Sequence, residues 1–199
     1  MRQTCVARWA RVVSLAFGLA VGLAGSLAAC GGDGTEKVPL YATTAPAPVP
    51  QQTSAINPAW VESSGETLGT NVASGVYWAT VATVGVGAEP FIEFDLAQAF
   101  FGDACLAQFG DSPEACVNDI GVLAPPHGLL PAFRSTLQVV TVVGVDQRNF
   151  AITADELIAL VSGEPPAAEA PDGYQFAPFP FVVTVTGGAI TAARQIWTP

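Results

Sequence analysis

Hydrophobic and polar positions divide this 199-residue chain into an apolar leader, a polar proline-rich stretch and a long region of short apolar runs broken by Gly and Pro. Residues 12–29 (VVSLAFGLAVGLAGSLAA) carry no charge at all. From about residue 59 the period shortens towards two. Val76–Val86 (VYWATVATVGV) is rich in β-branched and aromatic residues and runs into Gly87-Ala88-Glu89-Pro90, which predicts a strand and a turn. In the next run Ile92, Phe94 and Leu96 fall on one face and Glu93 and Asp95 on the other, predicting the second strand of a hairpin.

Asp95 followed by Gln98 predicts a capped short helix, Leu96 to Phe101, stopped by Gly102, with helical pieces continuing across Cys105 to Phe109. Gly121 to Pro131 holds three prolines and is expected to be irregular, whereas Leu137–Val145 (LQVVTVVGV) returns to strand character. The clearest local pattern is Thr153-Ala154-Asp155-Glu156. A Thr cap, a Glu at the third helical position and an Ile152–Leu157 staple predict a helix over Ala154–Ser162, closed by Gly163. Residues 164–180 contain Pro165, Pro166, Pro171, Pro178 and Pro180 and form a loop, after which Phe181–Thr186 and Ala189–Trp197 flank Gly187-Gly188 as a tight hairpin. The expected fold is α+β and mainly β: a curved antiparallel sheet or small, partly closed barrel of about five or more strands with short helices.

The leader has chemistry attached. Arg2, Arg8 and Arg11 precede the apolar run, and the run ends in Leu27-Ala28-Ala29-Cys30. This layout resembles a secretory signal closed by a lipobox, at which cysteine is lipidated and the chain cleaved. A retained transmembrane span is the competing reading, and 18 residues are barely enough to cross about 30 Å of hydrocarbon. With Cys30 as the lipidated first residue, two acyl chains give stable anchoring where one is marginal. The predicted organisation is a signal peptide at 1–29, a lipidated cysteine with a disordered Pro-rich tether at 30–58, and one globular domain at 59–199. The protein is then exported and held on the outer face of the cell membrane.

Charge and cysteine usage fit that compartment. After Cys30, 17 acidic residues face only Lys37, Arg134, Arg148 and Arg194, a net charge of −13. A surface this acidic repels nucleic acid and anionic headgroups, so nucleic-acid binding is not expected. Cys105 and Cys116 are the only cysteines in the expected domain, and an oxidising compartment predicts their disulfide.

Two segments carry a resemblance. The C-terminal hairpin, Pro180-Phe181-Val182-Val183-Thr184-Val185-Thr186-Gly187-Gly188-Ala189-Ile190-Thr191 through Trp197-Thr198-Pro199, is similar to the end of uncharacterised exported lipoproteins and secreted proteins of high-GC Gram-positive bacteria. The stretch from Phe94 to Ala104 looks like their strand-to-helix segment. The resemblance implies a small secreted domain and assigns no functional residue.

Catalytic and cofactor motifs are not evident, so the expected role is non-catalytic: binding or organising an envelope protein or ligand. The competing reading is a small secreted hydrolase. His127, the sole histidine, would need an orienting acid, and Glu93 with Asp95 could serve as paired carboxylates. Hard oxygen groups at Asp103, Asp111, Glu114, Asn118 and Asp119 surround the cysteine pair and raise calcium as a minority idea, although their spacing matches no EF-hand. Tyr77, Trp78, Phe179, Phe181 and Trp197 either fill the core or line a ligand cavity inside a small barrel.

Overall fold

Strand composition dominates the structure, a computed structural model that describes residues 39–51, 53–54, 72–85, 87–110, 116, 119–123 and 128–198. Among the described residues nine strands and two short helices follow one another. They are β1 (Ala42–Thr44), β2 (Gly75–Gly85), β3 (Phe91–Phe101), α1 (Asp103–Phe109), β4 (Ile120–Leu123), β5 (Leu129–Phe133), β6 (Val139–Val143), β7 (Asn149–Ile152), α2 (Ala154–Val161), β8 (Phe181–Thr186) and β9 (Ala189–Gln195). They form one sheet in the order β1-β7-β6-β9-β8-β2-β3-β4, with β5 on the same edge of β3 as β4. The sheet is mixed and does not close. Every pair is antiparallel except β6 with β9, which run parallel in the register Val139–Ala192 to Thr141–Arg194.

The period-two pattern of β3 places its side chains as the sequence predicts: Ile92, Phe94 and Leu96 are fully buried, and Glu93 and Asp95 lie half-buried on the other face. The main core lies on the inner face, where Tyr77, Phe94, Phe150, Phe181 and Ile190 pack against Leu157 and Leu160 of α2. A smaller cluster of Trp78, Ala97, Val182 and Ile196 occupies the outer face. At the β8–β9 turn Gly187 and Gly188 both take positive φ, 58° and 80°, which a two-residue hairpin of matching twist requires.

Three expectations change. The helix expected over Leu96–Phe101 is strand: β3 is paired by β2 on one side and by β4 and β5 on the other, so its backbone bonds are met in the sheet. Gly102, expected to stop that helix, instead precedes α1 with φ 54°. The irregular stretch expected from Gly121 to Pro131 contains β4 and β5. Pro131 is tolerated there because β5 lies at the sheet edge, where a missing N–H leaves no ladder bond unmade. The disordered tether expected over residues 30–58 is ordered in part, because Ala42–Thr44 pair with Asn149–Ala151 as β1 and Tyr41 is only 6% exposed. Further on, Ala47 packs against the outer cluster, the Trp78 indole N–H donates to the Pro50 carbonyl at 3.2 Å, and the Ser54 N–H donates to the Val76 carbonyl. A domain boundary at residue 59 therefore omits a strand and a core aromatic.

Tyr41 is held by a carboxylate. Helix α2 begins as its sequence predicts, with the Thr153 hydroxyl accepting the Glu156 N–H at 3.1 Å and Ile152 and Leu157 both buried. The Glu156 side chain does not turn back to its own cap. Its Oε1 accepts the Tyr41 hydroxyl at 2.6 Å and the Ala167 N–H at 2.9 Å, joining the N-terminal segment, the helix and the 164–180 loop. The rings of Tyr41, Phe150 and Tyr174 meet edge to face around this point, with centroids 5.1–6.2 Å apart. Tyr41 pays for the geometry with a φ of 59°, a left-handed conformation that costs a non-glycine residue about 1–2 kcal/mol.

Two outcomes are expected. Glu156→Ala leaves a buried hydroxyl and a partly buried N–H without an acceptor, so urea denaturation of the mature protein is expected to show a loss of about 2–4 kcal/mol. The second concerns alkali. Burial, then the Glu156 hydrogen bond, raises the Tyr41 hydroxyl far above its ordinary value, and burial followed by the Glu156 charge raises Tyr174. The folded groups stay protonated while the unfolded chain ionises near pH 10, so this stability is complete below about pH 10 and falls above it. Tyr41→Phe is expected to flatten that fall by about 1.4 kcal/mol per pH unit, and equal slopes for the two proteins would refute the assignment.

Candidate functional site

Where β8 leaves β2, the structure opens. The β2–β8 ladder ends at Ala79–Phe181, yet β2 continues to Gly85, so Thr80, Val81 and Ala82 border a cleft there. A register shift between Val81 and Thr83 turns the exposed Ala82 out of the regular pleat. The second wall is the end of α2, Leu160 and Val161. That helix stops at Gly163, whose φ of 84° permits the closing bonds from Gly163 N–H to Leu160 and from Glu164 N–H to Ala159. Phe176, Pro178, Phe179 and Phe181 form the third wall. The cleft encloses about 320 Å³, and among the described residues no charged side chain lines it.

The third wall belongs to a proline-rich loop, and Gln195 fixes it. This side chain is fully buried on β9. Its Oε1 accepts the Val143 N–H at 3.0 Å, extending the parallel β6–β9 ladder past Thr141–Arg194, and its Nε2 donates to the Ala177 carbonyl at 2.6 Å and the Phe179 carbonyl at 3.4 Å. All three polar positions of the amide are thereby satisfied, as burial demands. The Ile196 N–H adds a bond to the Pro180 carbonyl, and Phe179 packs on Trp197 with centroids 6.5 Å apart.

Of the aromatic residues proposed for a cavity, Phe179 and Phe181 line the cleft. Tyr77 and Trp78 are core, on opposite faces of the sheet, each 1% exposed. Sequence reasoning did not find Phe176, Leu160 or Val161 as lining, nor Gln195 as their support. A buried glutamine in an otherwise apolar strand was the available sign.

Two further clefts are more polar. One lies by the β6–β7 turn, where Arg148 is bonded to Asp146 and stacks 5.4 Å from the centre of Phe150, with Asp172 and Tyr174 opposite. The arginine holds the Asp146 carboxyl below its usual range. The other, about 470 Å³, contains Pro39, Leu137, Gln138 and the exposed Arg134–Asp155 pair at 3.4 Å. Such an exposed pair contributes little to stability.

The described residues among the remaining candidates lie apart from the cleft between β2 and α2. Glu93 and Asp95 share the outer face of β3, opposite Thr83 and Thr80, and line none of these three clefts. His127 lies outside the described residues, as do Cys30, Asp111, Glu114 and Asn118. Cys105 and Cys116 are joined by a disulfide with Cα atoms 5.9 Å apart, tying α1 to the approach to β4. Asp103 opens α1 and Asp119, with φ 61°, precedes β4. Among the described residues no group of three or more His, Cys, Asp or Glu side chains could hold a metal ion, and no helix is long and apolar enough to cross a membrane. No family model matches the chain, and neither a curated protein nor a solved structure matches it.

Gln195→Leu is expected to leave the Val143 N–H and the Phe179 carbonyl without this partner, to leave the Ala177 carbonyl only its bond from the Phe179 N–H, and to lower stability by about 2–4 kcal/mol. Amide hydrogen exchange should rise first at Tyr174–Phe179. Unchanged protection in that segment would show that the glutamine does not hold the cleft wall.

Proposed function

We propose that the chain is an exported, lipid-anchored envelope protein whose domain binds an apolar group without catalysis. The carrying observation is the uncharged cleft between β2, α2 and the 176–181 segment. At about 320 Å³ it lies at the small end of ligand-pocket volumes, suited to one aromatic or branched aliphatic group of a ligand or partner. Its walls offer apolar area and little else. Among the described lining residues the Thr80 hydroxyl is the only polar side chain, and they include no acid–base pair.

Support for the anchor comes from sequence: a basic start, an uncharged 18-residue run and Cys30 after Leu-Ala-Ala. A disulfide within the domain is consistent with an oxidising compartment. Glu93 and Asp95, the two described residues of the hydrolase reading, line none of the three clefts.

Both halves of the proposal have direct measurements. The mature chain, produced without acyl groups, is expected to bind Nile red with a blue shift, and Ala82→Trp, which places an indole over the cleft, should weaken that binding by about tenfold, or 1.4 kcal/mol. Equal binding by the two proteins would remove the cleft from the reading. For the anchor, Cys30→Ala should abolish fatty-acid labelling in cells and move the protein out of the membrane fraction, whereas continued labelling would exclude Cys30 as the attachment point.

A further inference from the structure

We infer that the domain rests against the lipid headgroups at the end where Pro39 enters it, with Phe133, Arg134, Gln138 and Val139 facing the bilayer and α1 pointing outward. This placement rests on the lipid-anchor reading and adds to it a distance and an orientation.

The distance follows from β1. Strand pairing with β7 and the Tyr41–Glu156 bond fix the chain from Pro39 onward, so only residues 31–38 separate it from Cys30. Nine Cα–Cα steps reach at most about 30 Å whatever their conformation. A fully free 30–58 segment would reach about 80–100 Å. A domain of this size is about 40 Å across, so the short connection cannot hold it clear of the membrane. The entry end stays within one domain diameter of the headgroups.

The orientation follows from what surrounds Pro39. Arg134, Leu137 and Gln138 line the same cleft as Pro39, and the Arg134 N–H donates to the Pro90 carbonyl, which brings the first residue of β3 to this end. Phe91 and Phe133 pack there with ring centroids 5.5 Å apart, and Phe133 and Val139 are exposed at 36% and 42%. Arg134 is paired with Asp155, and Glu89 accepts the neighbouring Ser135 N–H, so among the described residues this end carries no excess of positive charge, and it is the exposed apolar side chains that fit the boundary between headgroups and acyl chains. From Phe91, β3 runs eleven residues to Phe101, a span of about 33 Å, and then turns at Gly102 into α1 and the disulfide. Charges elsewhere on the domain are screened over about 8 Å at physiological salt, so among the described residues at this end only Arg134, Asp155 and Glu89 lie close enough to act on the membrane.

The test uses the full lipidated protein in neutral phosphatidylcholine vesicles containing a headgroup-labelled quencher lipid. A fluorophore is placed on Gln138→Cys or on Gln108→Cys, the latter on the exposed side of α1. Quenching at position 138 is expected to exceed that at 108 by about threefold, given a separation of roughly 30 Å along β3. Inserting twenty Gly and Ser residues between Val38 and Pro39 is expected to bring the two signals together. Equal or reversed quenching in vesicle-bound, acyl-labelled protein would overturn the placement alone. Loss of both vesicle binding and acyl label would overturn the anchor and the placement with it.

Discussion

One buried carboxylate organises this domain. Glu156 accepts a hydroxyl from Tyr41 and an N–H from Ala167, 115 and 11 residues away, while its own N–H caps its helix on Thr153. A charge taken out of water must be met by donors, and here the donors come from segments that no strand ladder would bring to the helix. Tyr41 reaches the carboxylate only through a left-handed backbone, so the hydrogen bond and the surrounding aromatic contacts offset a local cost. Without that junction the N-terminal segment would keep only a three-residue edge strand and its contacts around Trp78 and Val76.

A second buried polar group shapes the surface. Gln195 supplies, from a side chain, the acceptor for Val143 that the parallel ladder would otherwise supply from the backbone, and it spends its two N–H groups on the loop at Ala177 and Phe179. The loop is thereby drawn to β9, and Phe176, Pro178 and Phe179 face the gap beyond the last β2–β8 pair. The cleft is thus a consequence of the sheet curling open at β2 while a proline-rich segment, poor in N–H donors, takes the place of a strand.

The ordered N-terminal segment also sets where such a cleft could work. In the proposed arrangement the acyl chains and the domain are joined by eight residues, so a partner must be close to the bilayer or within it. The acidic surface then favours neutral or cationic partners, because like charges raise the cost of approach.

Local chemistry was legible in the sequence wherever one short segment determined its own conformation. Thr153 and Glu156 start α2, Gly187-Gly188 make the β8–β9 turn, and the alternation of Ile92, Phe94 and Leu96 against Glu93 and Asp95 assigns the faces of β3. The mainly β fold and the Cys105–Cys116 bridge followed from composition and spacing. What required the tertiary structure was decided by partners distant along the chain. Leu96–Phe101 has a helix-like cap signal, but β2 and β4 satisfy its backbone as strand; Pro131 is admitted because its strand lies at an edge. Residues 39–51 read as a polar linker because their composition holds little apolar area, and their order depends on Glu156 and Trp78, neither of which is near them in sequence. The cleft was illegible for the same reason: its walls come from three elements, and only their juxtaposition makes a site.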